Sequence, residues 1–418
     1  MSIRTRRSIR SAYQCPNRRT GGTVAGRTLT QCLELIVMTT IAVAGGGIVG
    51  ASAAFHLAAA GIETWLMDSS VTGRATSAGA GIIAPGTSTR AIPPFYELAQ
   101  PAVGYYPELV SKLADVGETD ASYEVCGKLI VANTPDKAEA LPAHLALISE
   151  RRATGMPNIG EIREVSPAQA RRLLPTLGDV LAAAHISGAA RVDGAKMRDA
   201  LTRGAEKLGA RVVRGQAQLV TENGRAVGVE ADGKRITVDS VIVAAGAWTN
   251  HVLEPVGFRV PIAPQKGQII HIELPDQDVS GWPILDWSGP QYQLCFGPNR
   301  VVCGATRQFD SGYDTRVTPA GVKEILDEQL ALCPGLAHGT IAEIRVGLRP
   351  YSDDGVPFIG AVPDMENVIV STGHGPSGLQ LGPYSGLLAA ELAQGLQPSI
   401  DLESFRLDRS IDNGKVAS

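Results

Sequence analysis

Residues Thr40 to Asp68 read TIAVAGGGIVGASAAFHLAAAGIETWLMD. Few folds accommodate that order of residue types. Ile41, Val43 and their neighbours make a short apolar run suited to a buried parallel strand. Gly45-Gly46-Gly47-Ile48-Val49-Gly50 follows at once. Ala51 to Ala60 is alanine-rich and free of proline and glycine, as a helix requires. Gly61 stops that helix, and Glu63 to Met67 reads as a second strand ending at Asp68. Gly45 permits the tight turn, Gly47 admits a pyrophosphate close to the backbone, and Gly50 lets helix and strand pack closely. The free N–H groups and dipole of the helix start favour phosphate charge. Asp68 lies 23 residues after Gly45, near the roughly 20-residue spacing of an acid that bonds a ribose hydroxyl. A lone GxGxxG is weak evidence, but strand, helix and acid supply its context, and the stretch points to dinucleotide binding.

The same stretch has a competing reading. No Asp, Glu, Lys or Arg occurs between Glu34 and Glu63, so hydropathy alone would allow a membrane span. Three consecutive glycines and the polar Thr39-Thr40 fit strand, turn and helix better. Burial between sheet and helices accounts for the apolar character, so no integral membrane span is expected.

A chain of 418 residues exceeds what one core usually serves, which predicts two domains. A net charge of −4 gives no basic excess for nucleic acid. Cys15, Cys32, Cys126, Cys295, Cys303 and Cys333 form neither CxxC nor a zinc spacing. They read as packing thiols of a reducing compartment, and no metal site is expected. Residues 1–37 carry seven arginines, no lysine and one acid, Glu34. They resemble a transit peptide, or a secretory signal with a twin-arginine hint at Arg6-Arg7, or a non-structural extension ahead of Met38. The last reading is preferred, with disorder expected through about Ile36.

After Asp68, the small residues of Arg74-Ala75-Thr76-Ser77-Ala78-Gly79-Ala80-Gly81-Ile82-Ile83 suit a loop lying along a flat cofactor ring. Residues 91–165 carry no chemical motif and read as an inserted domain. Met197 to Leu208 is an amphipathic helix ended by Gly209, and Asn223-Gly224 marks a hairpin. Val241-Ile242-Val243-Ala244-Ala245-Gly246-Ala247-Trp248 is a buried strand whose small end leaves room for a cofactor at its carboxyl edge. Residues 256–340 read as mainly β, with a helix over Val322 to Leu332. Val368-Ile369-Val370 then enters Gly373-His374-Gly375-Pro376-Ser377-Gly378-Leu379-Gln380, a second strand–glycine–helix turn. A closing helix is predicted over Ser385 to Ala393.

Taken in order, GGGIVG with Asp68, TSAGAGII, VIVAAGAW, PQKGQ, GLRPYSDDGVPFIG and GHGPSGLQLGP resemble the FAD-dependent D-amino acid oxidase-type family. That family includes glycine oxidases, sarcosine oxidases and D-amino acid dehydrogenases. The resemblance runs from about Thr40 to about Arg409 and looks closest to the D-amino acid dehydrogenase-like branch. It implies an α/β (α+β overall) fold: a Rossmann-like FAD-binding domain with a mainly antiparallel β-sheet substrate domain inserted. The expected boundaries are 38–90, 165–255 and 341–410 for the FAD domain, and 91–164 and 256–340 for the substrate domain.

The resemblance assigns residues as well. Gly45, Gly47, Ile48, Val49 and Gly50 would lie by the pyrophosphate, and Asp68 with Ser69 by the adenosine ribose. Thr76, Ser77, Gly81, Ile82 and Ile83 would line the flavin side, and Gly246 and Trp248 the strand end. Gln218 stands where the family often has a valine whose backbone meets adenine. His374, Gly375, Pro376, Ser377, Gly378, Leu379 and Gln380 would lie along the flavin pyrimidine. Arg349 in GLRP would bind the substrate carboxylate, which suits a planar, permanently charged guanidinium. Tyr292 would close the pocket, an ordinary strand aromatic being nearly as good a reading.

The implied reaction oxidises the CH–NH or CH–NH2 bond of a small amino acid by hydride transfer to flavin N5, then hydrolyses the imine to an oxo acid. The flavin does the chemistry, so no catalytic side chain is assigned, and His374 is read as packing rather than as a base. Two departures weigh against strict glycine specificity: Pro376 stands where glycine oxidases have a second arginine, and Pro290 where they have a histidine. No cysteine follows Cys333, so FAD is expected to be held without a covalent bond. A D-amino acid is the first expectation for the substrate and a glycine- or sarcosine-type secondary amine the second. A nicotinamide-dependent dehydrogenase and an FAD-binding subunit of a larger complex are the readings from other classes. The electron acceptor would be oxygen or a quinone or other carrier. A cytoplasmic location is expected, with homo-oligomers and peripheral membrane association left open.

Overall fold

The computed structural model describes residues 39–410 except Ser288 and Pro290. The extension expected over residues 1–37, and the departure noted at Pro290, lie outside the described residues.

The glycine fingerprint opens a six-stranded sheet. In spatial order its strands are Phe358–Val362, Met365–Thr372, Ser240–Val243, Thr40–Ala44, Glu63–Asp68 and Arg211–Arg214. All neighbours are parallel except the edge strand Phe358–Val362. Strands buried on both faces need continuous apolar runs, and Ile41 to Ala44 and Val241 to Val243 are buried throughout. The helix Ile48–Ala59 starts directly at Gly47, its N-cap, and the helix Gly378–Ala393 crosses it closely. Small residues make that crossing possible. A Cβ at Gly382 would come within 2.7 Å of Ile48 Cγ2, and Ser52 Oγ donates to the Pro383 carbonyl at 2.6 Å. From Thr40 onward, the stretch that hydropathy alone would send into a membrane is therefore strand, turn and helix. Among the described residues no helix is long and apolar enough to cross a membrane.

The second large sheet has eight strands, in the order Thr340–Tyr351, Ala263–Glu273, Arg300–Gly304, Tyr292–Phe296, Ile284–Asp286, Lys128–Ala132, Ala182–Ile186 and Ile162–Val165. It is antiparallel apart from the pairing of Ile284–Asp286 with Lys128–Ala132. That parallel pair joins the two separated β-rich segments into one sheet. The helix Pro319–Leu332 covers one face through Ile325 and Leu332, which share a core with Ile270, Cys303 and Trp287. The longest ladder aligns Gln265 with Arg349 and Gly267 with Gly347.

The observed packing differs from the expected boundaries at three places, one being the strand Thr340–Tyr351, assigned to the cofactor side but forming the edge of the eight-stranded sheet. The helices Pro93–Gly104 and Tyr106–Asp115 fall in the stretch assigned to the inserted domain. Phe95, Leu98, Tyr106 and Leu109 instead pack in one core with Phe55, Met197, Leu381 and Leu388, on the six-stranded side. The strand Ala182–Ile186, assigned to the cofactor side, pairs within the eight-stranded sheet. All three follow from long-range partner choice, which apolar patterning alone does not specify. Elsewhere the elements match with extended ends. The fingerprint helix begins at Ile48, the amphipathic helix spans Gly194–Lys207, and Asn223-Gly224 joins the hairpin strands Gln218–Glu222 and Arg225–Ala231.

Candidate active site

One cavity of about 1470 Å³ runs from the glycine turn to the face of the eight-stranded sheet. At its first end Gly45 turns at φ +117°, a conformation that favours glycine, and its N–H bonds the Met67 carbonyl at 2.8 Å. A Cβ at Gly47 would meet only Thr76 Oγ1, at 3.4 Å, so this side of the turn is open to a ligand. A Cβ at Gly50 would fall on the Gly45 carbonyl oxygen. Gly50 is absent from the cavity wall and acts by letting the helix approach the turn. Gly46, which sequence reasoning passed over, has its own constraint: a Cβ there would stand 2.5 Å from the Asp68 carboxyl carbon. The Asp68 carboxylate is held by Arg74 Nη1 at 2.6 Å and by the Ser70 N–H at 3.1 Å. Arg74 lines the cavity too.

Ala75–Ala78 is a short 3-10 turn, and Thr76 Oγ1 accepts from the Ile48 N–H at 3.0 Å, tying this loop to the helix start. Of the loop residues singled out from sequence, Thr76, Gly81 and Ile82 reach the cavity wall. Ser77 and Ile83 do not. The Ser77 hydroxyl accepts from Arg198 and its carbonyl from Arg345, and Ile83 is buried in the helical core. Gln218 also lies off the wall. It is exposed at the start of a hairpin strand, while Gly215, Gln216 and Ala217 line the cavity beside Asp68 and Ser69. Ile48, Val49, Gly246 and Trp248 are all on the wall.

His374 to Gln380 line the cavity without a break. The 3-10 turn Gly375–Ser377 leads straight into the helix Gly378–Ala393, so the helix start faces the cavity. The Tyr106 hydroxyl donates to the Leu379 carbonyl and fixes this turn from below. His374 Nε2 is 2.9 Å from Ser385 Oγ, which itself donates to the Leu381 carbonyl at 3.0 Å. The Ser385 oxygen is therefore left to accept, which places the proton on Nε2. Burial pushes the His374 pKa down to about 4, so the ring is neutral at pH 7. It is a packed, donating imidazole.

At the far end, Arg349 Nη1 donates to Gln265 Oε1 at 3.2 Å and to the Thr306 carbonyl at 3.1 Å. Both acceptors are neutral. No ion pair forms between Arg349 and any carboxylate of the described residues. The guanidinium lies over Gly267, where a Cβ would stand 2.5 Å from Arg349 Cζ. Tyr292 is next to it on the wall, and burial raises its phenol pKa despite the lowering influence of Arg349. The phenol therefore stays protonated and able to donate. Burial also lowers the pKa of Arg349 itself. Arg90 and Arg307 line the same end, as do Tyr351 and Phe309, whose rings meet edge to face at 5.1 Å. Deeper in the wall Lys128 Nζ bonds Asp286 at 2.5 Å and Thr87 Oγ1 at 2.9 Å. No cluster of three metal-ligating side chains occurs among the described residues, and Cys126, Cys295, Cys303 and Cys333 all lie off the wall.

The family model described as DAO, FAD dependent oxidoreductase, matches residues 40–392. The chain is 39% identical over 369 residues to the uncharacterized oxidoreductase YurR of Bacillus subtilis, covering 88% of this chain and 98% of that one. It is 29% identical to a glycine oxidase of Pseudomonas aeruginosa, covering 86% and 96%. Among solved structures, iminodiacetate oxidase (IdaA) from Chelativorans sp. BNC1 superposes with a TM-score of 0.84 at 38% identity, covering 88% of this chain and 98% of that one.

Proposed function

This chain belongs to the DAO family of FAD-dependent oxidoreductases, and from that premise we propose that it oxidises the C–N bond of a small amine carrying an N–CH2–COO⁻ unit. The observation that carries this reading is Arg349. It is a guanidinium on the cavity wall held only by neutral acceptors, with Tyr292 beside it. Its charge is thereby left for a carboxylate. Glycine oxidases and an iminodiacetate oxidase among the relatives support the unbranched carboxymethyl group. D-amino acids offer the same carboxylate, and the choice between the two is one of substrate, not of site.

The residues fit FAD. The turn is open at Gly47, where a pyrophosphate would lie, and Asp68, paired with Arg74, would bond the ribose. Thr76, Gly81, Ile82 and the stretch His374 to Gln380 would hold the ring system. When bound, FAD supplies the two-electron acceptor that the side chains lack. Arg349 anchors the substrate carboxylate and so fixes where the α-carbon sits. Tyr292 donates its hydroxyl proton to the same carboxylate. The substrate loses one hydrogen from carbon and one from nitrogen, and water then cleaves the C=N bond to an oxo acid and an amine or ammonia. No strong base is required of the protein, consistent with a neutral, packed His374.

Replacing Arg349 tests the reading. Arg349→Ala should raise KM by about 100-fold or more, as expected for loss of a charge-assisted, bidentate pair, with FAD still bound. An unchanged KM would remove the clamp from the account.

A further inference from the structure

Three arginines, Arg90, Arg307 and Arg349, line the cavity. One substrate carboxylate accounts for one of them. The other two have no carboxylate partner among the described residues. Arg90 donates to Ser377 Oγ at 3.3 Å and lies over the Phe95 ring at 4.3 Å, both neutral partners. Arg307 is exposed, and among the described residues no hydrogen bond or ion pair occupies its side chain. It directly follows Thr306, whose carbonyl accepts from Arg349. The positive charge of Arg307 acts on both other guanidiniums, lowering their pKa values in addition to the effect of burial, and it also acts on Tyr292 and Tyr351. Phe309, two residues after Arg307, meets the ring of Tyr351, two residues after Arg349, and Tyr351 pairs with His374 in the turn that Arg90 reaches through Ser377, so the three cations share the Tyr292 end of the cavity. The phosphates of FAD would lie at the glycine turn, the other end, and do not account for them.

Uncompensated like charges around a cavity are unfavourable unless an anion enters. We propose that Arg307, flanked by Arg90, is a second anion clamp, and that the preferred substrates are amines bearing two carboxylates, one held by Arg349 and the other by Arg307. This rests on the reading of Arg349 as the first clamp. Phe309 and Tyr351 would then wall the methylene groups between the two anionic ends. Arg307 is a specificity-determining residue in this scheme. It touches the distal group and takes no part in the bond that breaks.

Non-oxidisable thioethers separate binding from turnover. Thiodiacetate carries two carboxylates and (methylthio)acetate one, with sulfur in place of the amine. Each is titrated into the FAD-loaded enzyme and followed by the perturbation of the flavin absorbance. The wild type should bind thiodiacetate about 10- to 100-fold more tightly, the range for a hydrogen bond to a charged group. In Arg307→Ala that ratio should fall to about 3 or below. A wild-type ratio near unity, or a high ratio that survives in Arg307→Ala, would overturn the proposal. Arg349→Ala keeps the two readings distinct, since it should weaken both ligands. If it weakens neither, the first clamp itself fails.

Discussion

Gly267→Ala is a substitution far more conservative than any change at Arg349, yet it should disable the same clamp. Gly267 sits in an extended strand opposite Gly347 and beneath the Arg349 guanidinium. A methyl group there would stand 2.5 Å from both Cζ and Nη1 of Arg349, where ordinary contact needs at least 3.4 Å. The strand is locked by its ladder, so the flexible side chain must yield, by about 1 Å. Such a displacement breaks the hydrogen bonds to Gln265 and Thr306 and moves the carboxylate anchor. A misplacement of about 1 Å costs on the order of 100-fold in a well-oriented reaction. Steady-state kinetics should therefore show kcat/KM down by about 10- to 100-fold. Stability should hold, since glycine to alanine in an extended segment stabilises by about 0.4–1 kcal/mol through the unfolded state. Thermal melting and the flavin spectrum provide that control. If kcat/KM stays within about 2-fold of wild type while Arg349→Ala is severely impaired, the guanidinium does not depend on the space above Gly267, and the reasoning fails.

Other consequences can be checked alongside. Burial pushes His56 and His374 down to about 4 from 6.5, so both are neutral when folded and gain protons on unfolding in mild acid. Their contribution is full above pH 6.5 and is lost as pH falls from there towards 4. At pH 5 each should cost about 2 kcal/mol, seen as a lower urea midpoint than at pH 7; equal midpoints would contradict the burial argument. Gly50→Ala places a methyl group on the Gly45 carbonyl and should yield protein with little bound FAD, measured as the ratio of flavin to protein absorbance; full occupancy would show that the turn can move. Asp68→Ala should weaken FAD binding by about 10-fold or more through the lost ribose contact, read by flavin fluorescence on dilution, and unchanged affinity would show that the acid serves only Arg74. Heat or acid denaturation should release the flavin into the supernatant, because no cysteine of the described residues lines the cavity, and flavin retained in the pellet would reveal a covalent bond.

What was legible beforehand was local or carried by family motifs. Strand, glycine turn, helix and acid lie within one continuous stretch, so their geometry follows from residue types alone. Arg349 and the run from His374 to Gln380 were found through resemblance, and the structure brings them to the same cavity. Errors of face were harder to avoid. Side chains alternate along extended backbone, so a shift of one residue changes the side reached. Ile83 turns into the core while Ile82 reaches the cavity, and the wall formed by Gly215 to Ala217 ends one residue short of Gln218, where the hairpin strand begins. The helices from Pro93 to Asp115 joined the cofactor-side core because apolar faces do not name their partners. Gly46 and Gly267 matter only through what approaches them from distant sequence. Arg90 and Arg307 belong to no motif, and in a sequence they look like ordinary solvated charges.

Anaerobic reduction of the bound flavin is the most direct test of the central claim. The purified, FAD-loaded protein is mixed in turn with glycine, sarcosine, iminodiacetate and D-alanine, and the flavin absorbance is followed. Rapid bleaching by one or more of the carboxymethyl amines, with the corresponding oxo acid recovered as product, is the predicted result. Flavin that stays oxidised with every carboxymethyl amine, while plainly bound, would contradict the account, and bleaching by D-alanine alone would move the substrate to the D-amino acids.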